Sequence, residues 1–298
     1  MTQLDSYVAR INQVIDHIDA HLAERLDLER LAALAHVSSF HFHRIFQALT
    51  GETPGARVRR RRVEVAAQRL LATPPASILQ IALEVGFGSP EVFARAFKAH
   101  FGMTPSSWRD DGARAWVEQH RSASELYDAA RWKARDSEAI QVELRTLADA
   151  HVAYLRYAGP YGSPEIGQTW ERLLRWCGAH GVLERRPRLI GISHDSPDLT
   201  APQLLRYDAC VEIGPSDVLD DVKLAVQDVS GGRYACVPFH GTAETIHAHW
   251  MRFFSEWLPT SAYQADDRPA LELYDHSLAH AIDLRVFSCL LCLPIRPA

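Results

Sequence analysis

One segment of the chain occurs twice, and this repeat constrains the fold more than any other sequence feature. Residues 42–54 are matched 51 positions later by residues 93–105, with identity at seven positions. The shared residues are Phe42 and Phe93, Arg44 and Arg95, Phe46 and Phe97, Ala48 and Ala99, Gly51 and Gly102, Thr53 and Thr104, and Pro54 and Pro105. A repeat at a fixed offset is typical of one supersecondary unit used twice. We therefore expect two copies of one small unit.

The residues before each copy indicate what this unit is. Asp27 and Ser77 are residue types that cap the start of a helix, and each is followed by apolar residues at spacings of three and four. Each apolar stretch ends at a short turn before Ser38 or Ser89, which can cap a second helix. The pattern predicts two helix-turn-helix units, at about residues 27–54 and 77–109. The second helix of such a unit lies in the major groove of DNA.

The second helix of each unit has an apolar face and an outer face. At about 100° per residue, the apolar face carries Phe42, Ile45, Phe46 and Leu49 in the first copy, and Phe93, Ala96, Phe97 and Phe101 in the second. The opposite face or its flank carries Phe40, His43, Arg44 and Gln47 in the first copy, and Glu91, Arg95 and Lys98 in the second. An arginine in the major groove can form two hydrogen bonds to guanine, worth about 1–3 kcal/mol of discrimination. The alternative is that Arg44 and Arg95 are solvated or pair with acidic residues of the scaffold.

The second unit also carries a specific residue pattern. It consists of Ile81-Ala82, Val85-Gly86-Phe87, Ser89, Phe93, Arg95, Phe97-Lys98, Phe101-Gly102, Thr104-Pro105 and Trp108-Arg109. With this pattern and the two Gly-x-Thr-Pro endings, residues 6–109 resemble the DNA-binding domain of the AraC/XylS regulators, and most closely the Rob/MarA/SoxS branch. The resemblance implies reading of double-stranded promoter DNA by a monomer. The base-facing residues it implies are Phe40, His43 and Arg44 in the first unit and Glu91, Val92 and Arg95 in the second. Ser38, Gln47, Ser89 and Lys98 complete the DNA-contacting set that we expect on these helices.

The charge distribution supports a division of the chain. The net charge is −5, but residues 1–112 carry 13 Lys and Arg against 12 Asp and Glu, whereas residues 141–298 carry 14 against 20. Basic residues concentrate between the two units, at Arg57, Arg59, Arg60, Arg61, Arg62 and Arg69, with Glu64 as the one acid among them. Such a cluster predicts neutralisation of DNA phosphates, and we expect Arg59 and Arg61 to contribute. The alternative is a solvated helix face.

The cysteines and the apolar runs bear on the protein's environment. All five cysteines lie in the second half, and they are odd in number. No apolar run reaches the roughly 20 residues of a membrane span, and nothing at the N-terminus resembles a signal peptide. We therefore expect a cytoplasmic protein with reduced thiols and no membrane partner. Cys289 and Cys292 have CxxC spacing, but within a strand their sulfurs face opposite sides, so we expect no metal and no cofactor.

From residue 142 onward the sequence predicts mostly short strands. Strands are predicted at residues 142–144, 151–157, 188–192, 207–213, 224–229, 233–239, 270–274 and 282–293, and helices at 164–180 and 243–257. These elements occur in the order strand, strand, helix, strand, strand, and this order is repeated once. We predict a multidomain protein: an all-α double helix-turn-helix domain at 1–112, a connector at 113–140, and an α+β domain at 141–298. Two β-β-α-β-β half-repeats of the α+β domain would surround a ligand groove.

Aromatic residues and one carboxylate mark the predicted groove. Glu272 lies in a strand among apolar residues, and a buried carboxylate costs free energy unless it is paired. A cationic ligand between aromatic rings would supply the pairing and add a cation–π attraction of roughly 0.5–2 kcal/mol. The alternative is a solvated Glu272, or one paired with Arg285. The candidate ligand-binding residues are Tyr161, Trp170, Tyr207, Trp250, Glu272 and Tyr274.

Four sequence segments give this half a second resemblance. They are residues 154–162, residues 190–195, residues 206–210 and residues 232–235. By these segments, residues 142–294 resemble the GyrI-like effector-binding domain. The resemblance implies a lipophilic, often cationic, small-molecule effector and an acidic residue at the position of Glu272.

Together these features favour a transcription regulator that is not an enzyme. Its expected partners are promoter DNA, a small-molecule effector and RNA polymerase. Two alternatives remain open, because some GyrI-like proteins hydrolyse electrophilic compounds and others antagonise another protein. In the first alternative, Glu272 would act as a general base.

Overall fold

The computed structural model describes residues 3–72, 74–120, 140–214, 217, 224–274 and 286–297. The chain divides into two compact units, Met1–Arg121 and Ser122–Ala298. Most of the predicted connector, residues 121–139, lies outside the described residues, and the predicted domain boundaries stay predictions. Within the part of the chain that is described, no helix is both long and apolar enough to cross a membrane.

The first unit is helical, as the sequence predicts. Its helices are α1 (Gln3–Ala20), α2 (Leu28–Leu34), α3 (Ser39–Thr50), α4 (Pro54–Leu70), α5 (Ile78–Glu84), α6 (Pro90–Phe101), α7 (Pro105–Ser107) and α8 (Ala113–His120), with a π-helical turn at Trp108–Gly112. The pairs α2/α3 and α5/α6 are the two predicted helix-turn-helix units. Asp27 accepts a hydrogen bond from the backbone N–H of Arg30, and Ser77 accepts one from that of Gln80, so both predicted caps are present.

The repeated Gly-x-Thr-Pro sequence ends one helix and starts the next. Gly51 and Gly102 end α3 and α6 in the left-handed conformation, with φ of 77° and 76°. Glycine adopts this conformation without the strain that a Cβ atom brings. The hydroxyl groups of Thr53 and Thr104 then cap the following helices, and a proline occupies the first turn of each. The repeat therefore encodes a fixed reversal of the chain after each second helix.

Aromatic residues form much of the core of this unit. Phe42 and Phe46 in the first copy, and Phe93 and Phe97 in the second, are fully buried as predicted. Leu49 was predicted on the same apolar face, but it is 36% exposed. It occupies the last turn of α3, so the apolar face of this helix extends beyond its buried part.

The two copies differ in what holds the segment that follows the second helix. In the first copy, Arg60 pairs with Glu52 at 2.6 Å and with Glu64 at 3.0 Å. Arg61 pairs with Asp19 at 3.1 Å and with Glu64 at 2.8 Å. In the second copy, aromatic contacts replace these ion pairs: the ring of Trp108 lies 4.4 Å from that of Phe101 and 5.7 Å from that of Phe97, centroid to centroid.

These ion pairs correct the interpretation of the arginine cluster. Arg57 and Arg60 are buried, and Arg57 also pairs with Glu52. Arg62 donates to the backbone carbonyl oxygens of residues 22 and 24, and Arg69 pairs with Glu84. Asp19 and Glu52 lie outside the arginine-rich segment of the sequence, so only Glu64 could be recognised as a partner from the local pattern. Most of the cluster therefore stabilises the fold, and it is not available to neutralise phosphates.

The second unit is an antiparallel sheet with two helices. Its elements are β1 (Glu143–Leu147), β2 (Ala150–Ala158), α9 (Pro164–Ala179), β3 (Leu189–Ser193), β4 (Arg206–Glu212), β5 (Ala225–Val229), β6 (Gly232–Gly241), α10 (Ala243–Arg252), β7 (Tyr263–Ala265), β8 (Ala270–Tyr274) and β9 (Phe287–Pro297). Short 3₁₀ turns lie at Val182–Arg185, Pro202–Leu204 and Leu258–Thr260, and a π-helical turn follows α10 at Phe253–Trp257. The predicted strand–strand–helix–strand–strand order appears twice and is confirmed. The short β7 was not predicted, and the predicted start of the last strand, residues 282–285, lies outside the described residues.

The sheet combines the two halves in a symmetric order. The strand order is β1-β6-β9-β8-β3-β4-β2-β5, with β7 paired to β9. Strands β1, β2, β3 and β4 of the first half correspond to β5, β6, β8 and β9 of the second half, and the order of corresponding strands is the same from either edge of the sheet. The first strand of each half pairs with the other half: β1 pairs with β6, and β5 pairs with β2. The halves meet where β3 pairs with β8, and there Gly191 lies directly opposite Glu272.

Both helices cover the same face of this sheet. α9 packs through Trp170 and Leu173 on β2 and β4, and Trp250 of α10 packs on β6 and β9. Tyr274 and Phe287 contact the core beneath each helix. The space between the two helices, above the β3–β8 junction, is therefore where a groove can form.

We predict that Glu64→Gln lowers the free energy of unfolding of the first unit by about 3 kcal/mol, because it leaves buried Arg60 and Arg61 without a shared carboxylate. Urea denaturation followed by circular dichroism at the helical wavelength measures this loss. Glu84→Gln is the matched control, since the Arg69–Glu84 pair is 29% and 43% exposed, and it should cost no more than about 0.5 kcal/mol. Equal effects of the two substitutions would contradict a stabilising role for the buried network.

Candidate functional site

The second helices of both units present their predicted polar faces to solvent. Arg44 and Gln47 on α3 are exposed, and so are Arg95 and Lys98 on α6. His43 is half-buried at the flank of α3. The side chain of Phe40 lies outside the described part of the structure, so its predicted role stays a prediction. Each second helix therefore carries an exposed arginine at the same place in the repeat.

The first turn of α6 adds an acidic residue and an apolar residue to this surface. Glu91 is exposed, and Val92 is 45% exposed. The hydroxyl group of Ser89 caps the helix by accepting from the N–H of Val92 at 3.3 Å. A hydrogen bond from Ser89 also lowers the pKa of Glu91, and the charge of Arg95 contributes. This surface therefore presents a carboxylate beside an arginine, a combination that can bond the donor and acceptor groups of base edges.

Ser38 and the α4 arginines differ from the prediction in detail. Ser38 precedes α3 but makes no capping hydrogen bond to the backbone; its hydroxyl group lies 2.9 Å from Nδ1 of His41. Arg59 is exposed on α4, consistent with a phosphate contact. Arg61 is only 12% exposed and forms ion pairs with Asp19 and Glu64, so it is not available for the predicted contact with DNA.

The second unit contains a pocket between α9 and α10. Its cavity has a volume of about 100 Å³. The residues that line it are Tyr161, Gly162, Ile166, Gly167, Trp170, Ser193, Tyr207, Ala243, Ile246, His247, Trp250, Glu272, Tyr274 and Phe287. All six predicted ligand-binding residues are in this set, although they come from five separate segments of the chain. The structure therefore brings together every residue of the predicted groove.

Glu272 lies in the floor of the pocket and is 6% exposed. Its Oε2 atom accepts a hydrogen bond from the hydroxyl of Tyr207 at 2.7 Å and another from that of Tyr274 at 2.6 Å. Burial raises the pKa of Glu272, and the hydrogen bonds from Tyr274, Tyr207 and Trp250 offset only part of this rise. The alternative of a solvated carboxylate is therefore wrong; the alternative of a pair with Arg285 involves a residue that lies outside the described residues.

The aromatic donors are themselves fixed by hydrogen bonds. The indole N–H of Trp170 donates to the Tyr207 hydroxyl at 3.2 Å, which directs the Tyr207 O–H toward Glu272. The Tyr161 hydroxyl donates to the backbone carbonyl groups of Asp195 and Arg206, whose side chains form a buried ion pair at 2.8 Å. Both phenols beside Glu272 have raised pKa values because of burial and the neighbouring carboxylate, so they act as neutral donors. The pocket is pre-organised around one carboxyl group.

Gly191 is a site residue that sequence reasoning did not assign. A Cβ atom built on it would collide with the Tyr207 hydroxyl and lie 2.9 Å from Oε2 of Glu272. A glycine at this position in β3 is therefore what lets the Tyr207–Glu272 hydrogen bond form above the sheet. The sequence signal was a glycine inside an otherwise apolar strand, which indicates close approach of another group.

Ser193 and His247 also line the pocket and were not predicted. Ser193 lies two residues after Gly191 on β3, so it faces the same side of the sheet. His247 precedes Trp250 by three residues on α10, which places both on one helix face. These two spacings could have identified them once Gly191 and Trp250 were recognised as part of the site.

Comparisons with known proteins match each half of the chain separately. A helix-turn-helix domain matches residues 31–111, and a GyrI-like small molecule binding domain matches residues 140–285. The right origin-binding protein of Escherichia coli is 40% identical over 101 residues, which is 33% of this chain and 34% of that protein. The chain thus spans about a third of the length of that relative.

Two other relatives are covered more completely. The HTH-type transcriptional activator AarP of Providencia stuartii is 34% identical over 108 residues, covering 36% of this chain and 78% of AarP. A DNA gyrase inhibitor of Edwardsiella piscicida is 27% identical over 138 residues, covering 45% of this chain and 86% of that protein.

We predict that Glu272→Gln raises the melting temperature of the ligand-free protein at neutral pH. A group whose pKa is raised in the folded state contributes stability at low pH and loses it as pH rises through that pKa, so ionised Glu272 destabilises the fold at neutral pH. Removing the charge should gain about 1 kcal/mol, or about 2–4 °C. Thermal unfolding of both proteins between about pH 5 and pH 8 tests this. A difference that does not grow with pH would contradict it.

Proposed function

We propose that this chain, which belongs to the AraC-type helix-turn-helix regulators and carries a C-terminal GyrI-like small molecule binding domain, is a promoter-binding transcriptional regulator controlled by a lipophilic cation. The relatives that match its N-terminal half include a transcriptional activator and an origin-binding protein. We further propose that it acts in the cytoplasm and contacts RNA polymerase.

The observation that carries the ligand proposal is the state of Glu272. Its carboxyl group is buried and hydrogen bonded only by aromatic side chains among the described residues, and those that line the pocket include no lysine or arginine. An ionised carboxylate in such a site costs free energy until a positive charge pairs with it. A small cation with an apolar body would pair with Glu272 and gain cation–π attraction from Trp170, Trp250 and Tyr274.

Regulation requires more than binding. An effector changes output only if it binds one state of the protein more tightly than another. Ligand-free Glu272 is a source of instability that a cation removes, so the pocket itself supplies a free energy difference between the free and bound states. A cation therefore binds more tightly to a state of the regulator in which Glu272 is buried in the pocket than to a state in which it is solvated, and this difference in affinity shifts the equilibrium between them.

The enzyme alternative uses the same residue differently. The raised pKa of Glu272 suits a general acid or base, and this is the observation that favours hydrolysis. However, the hydroxyl groups of Tyr207 and Tyr274 occupy its Oε2 atom, and the chain joins the pocket to a DNA-binding unit. We therefore propose sensing and not catalysis; unchanged recovery of a bound electrophile would support sensing, and its hydrolysis would support the alternative.

For the ligand, we predict that phenyltrimethylammonium raises the melting temperature of the full-length protein more than tert-butylbenzene does. These two compounds have the same shape, but only the first is charged. Glu272→Gln should weaken binding of the cation at least tenfold, or by about 1.4 kcal/mol, and leave binding of the neutral compound unchanged. Glu171→Gln, at an exposed glutamate on α9, is the charge-matched control. Equal affinities of the protein for the cation and for its neutral isostere would contradict the proposal.

For DNA, we predict that Arg44→Ala and Arg95→Ala each remove about 1–3 kcal/mol of discrimination between a duplex selected by the wild-type protein and a scrambled duplex. Titration of both duplexes in parallel at one salt concentration measures this. Arg172→Ala removes an exposed arginine on α9 and should change neither affinity. Equal losses on the selected and scrambled duplexes would show that these arginines contact phosphates only.

A further inference from the structure

Two cysteines of the second unit are adjacent in space although they are far apart in the chain. Cys236 on β6 and Cys292 on β9 are directly opposed in the register of these antiparallel strands. Their Sγ atoms are 3.2 Å apart, and both residues are fully buried. Directly opposed residues have Cβ atoms about 4.5–5.5 Å apart, close to the roughly 3.5–4.5 Å of a disulfide. The two sulfurs can therefore be joined with little movement of the backbone.

The other three cysteines have different surroundings. Burial raises the pKa of Cys177 to about 12, so it stays a thiol. Cys210 hydrogen bonds to the backbone carbonyl of Asp208 at 3.7 Å. Cys289 packs with Phe239 and Leu291 in the apolar core beneath α10, although it shares the CxxC spacing with Cys292. The spatial partner of Cys292 is thus Cys236.

The two thiols of the pair are not equivalent. The hydrogen bond between the two thiols lowers the pKa of Cys236 despite its burial, and the guanidinium group of Arg145 on β1 contributes. The pKa of Cys292 is raised by its hydrogen bond to Cys236 and by burial. A thiolate, and not a thiol, is the nucleophile in cysteine chemistry. The 3.2 Å Sγ–Sγ distance places each sulfur to resolve an oxidised form of the other, and the lowered pKa of Cys236 favours Cys236 as the attacking sulfur.

We propose that Cys236 and Cys292 form a redox-sensitive pair that a hydroperoxide converts into an intramolecular disulfide. The Cys236 sulfur attacks one oxygen of the hydroperoxide and breaks the O–O bond, giving a sulfenic acid and an alcohol, or water from hydrogen peroxide. The Cys292 sulfur then attacks the Cys236 sulfur; the S–O bond breaks, and the hydroxide leaves as water with the Cys292 proton. Two thiols lose two electrons and two protons, and the hydroperoxide is reduced. A dithiol reductant reverses the change.

The pair lies on the face of the sheet opposite to the ligand pocket, one residue along the strands from the residues that face the pocket. Cys292 is directly opposed to Leu271 on its other side, and the following residue, Glu272, is opposed to Leu291. A disulfide shortens the Sγ–Sγ separation to about 2.05 Å, and this draws β6 and β9 together. β9 also pairs with β8, the strand that carries Glu272. We infer that oxidation changes the affinity of the pocket for cations. This second step rests on the proposed ligand site, whereas disulfide formation does not.

The test treats the full-length reduced protein with hydrogen peroxide, unfolds it in guanidinium chloride because all five cysteines are buried, and then alkylates the remaining thiols with N-ethylmaleimide. We expect the chain to take up two fewer maleimides, peptide mapping to link Cys236 to Cys292, and dithiothreitol to restore both thiols. Cys236→Ser and Cys292→Ser should each prevent the link. Cys289→Ser, on the same strand as Cys292, is the matched control and should retain it.

The wild-type mapping does not depend on the folding of any variant. The proposal is overturned if both cysteines remain open to alkylation at peroxide concentrations that oxidise free glutathione, or if Cys236 proceeds to sulfinic acid while Cys292 stays free. For the coupling, phenyltrimethylammonium is titrated into reduced and oxidised protein, and we expect at least a threefold difference in Kd. Equal affinities would overturn the coupling. Failure of the reduced protein to bind the cation would count against the proposed function and leave the disulfide result intact.

Discussion

A buried carboxyl group is the constraint on which the second unit depends. Glu272 is held at the junction of the two half-repeats by hydrogen bonds from Tyr207 and Tyr274. The space for that arrangement exists only because Gly191, opposite Glu272 on β3, has no side chain. The aromatic residues that line the pocket serve two functions, since they donate hydrogen bonds to the carboxyl group and exclude water from it. The same exclusion raises its free energy when it is ionised, and this is the physical basis of the proposed cationic ligand.

The symmetric sheet explains why there is one acidic site and not two. β3 and β8 are equivalent strands of the two half-repeats, and they pair at the centre of the sheet. At the position where they face each other, one half supplies Glu272 and the other supplies Gly191. Two glutamates there would repel each other, and two glycines would offer no charge. The two halves have therefore diverged at the centre of the site while keeping a common fold.

The first unit shows a related divergence between duplicated parts. Both copies place an exposed arginine on the second helix, because the opposite face of that helix is fixed by buried phenylalanines. The segment that follows is held by ion pairs of Arg60 and Arg61 in the first copy and by the rings around Trp108 in the second. Buried ion pairs depend strongly on geometry and on both partners being present, whereas aromatic packing tolerates small shifts. The copies therefore share a backbone but differ in the interactions that stabilise it.

Local patterns in the sequence determined the elements of this protein. Helix caps, the glycines after α3 and α6, apolar spacing and strand alternation act over a few residues, so they could be interpreted without a structure. They predicted both helix-turn-helix units, the duplicated order of the second unit and the aromatic residues of the pocket. The residues that carry the two family resemblances added the expectation of a DNA-binding regulator and of an acidic site at Glu272.

The tertiary structure alone decided which distant residues meet. Arg61 reaches Asp19 across 42 positions, Glu272 reaches Tyr207 across 65, and Cys292 reaches Cys236 across 56. Such contacts depend on strand register and helix packing, which residue periodicity does not encode. For this reason the sequence predicted a DNA contact for Arg61, left the partners of Glu272 open and gave no partner for Cys292. The sequence determined which chemical groups the protein has, and the fold decided which of them act together.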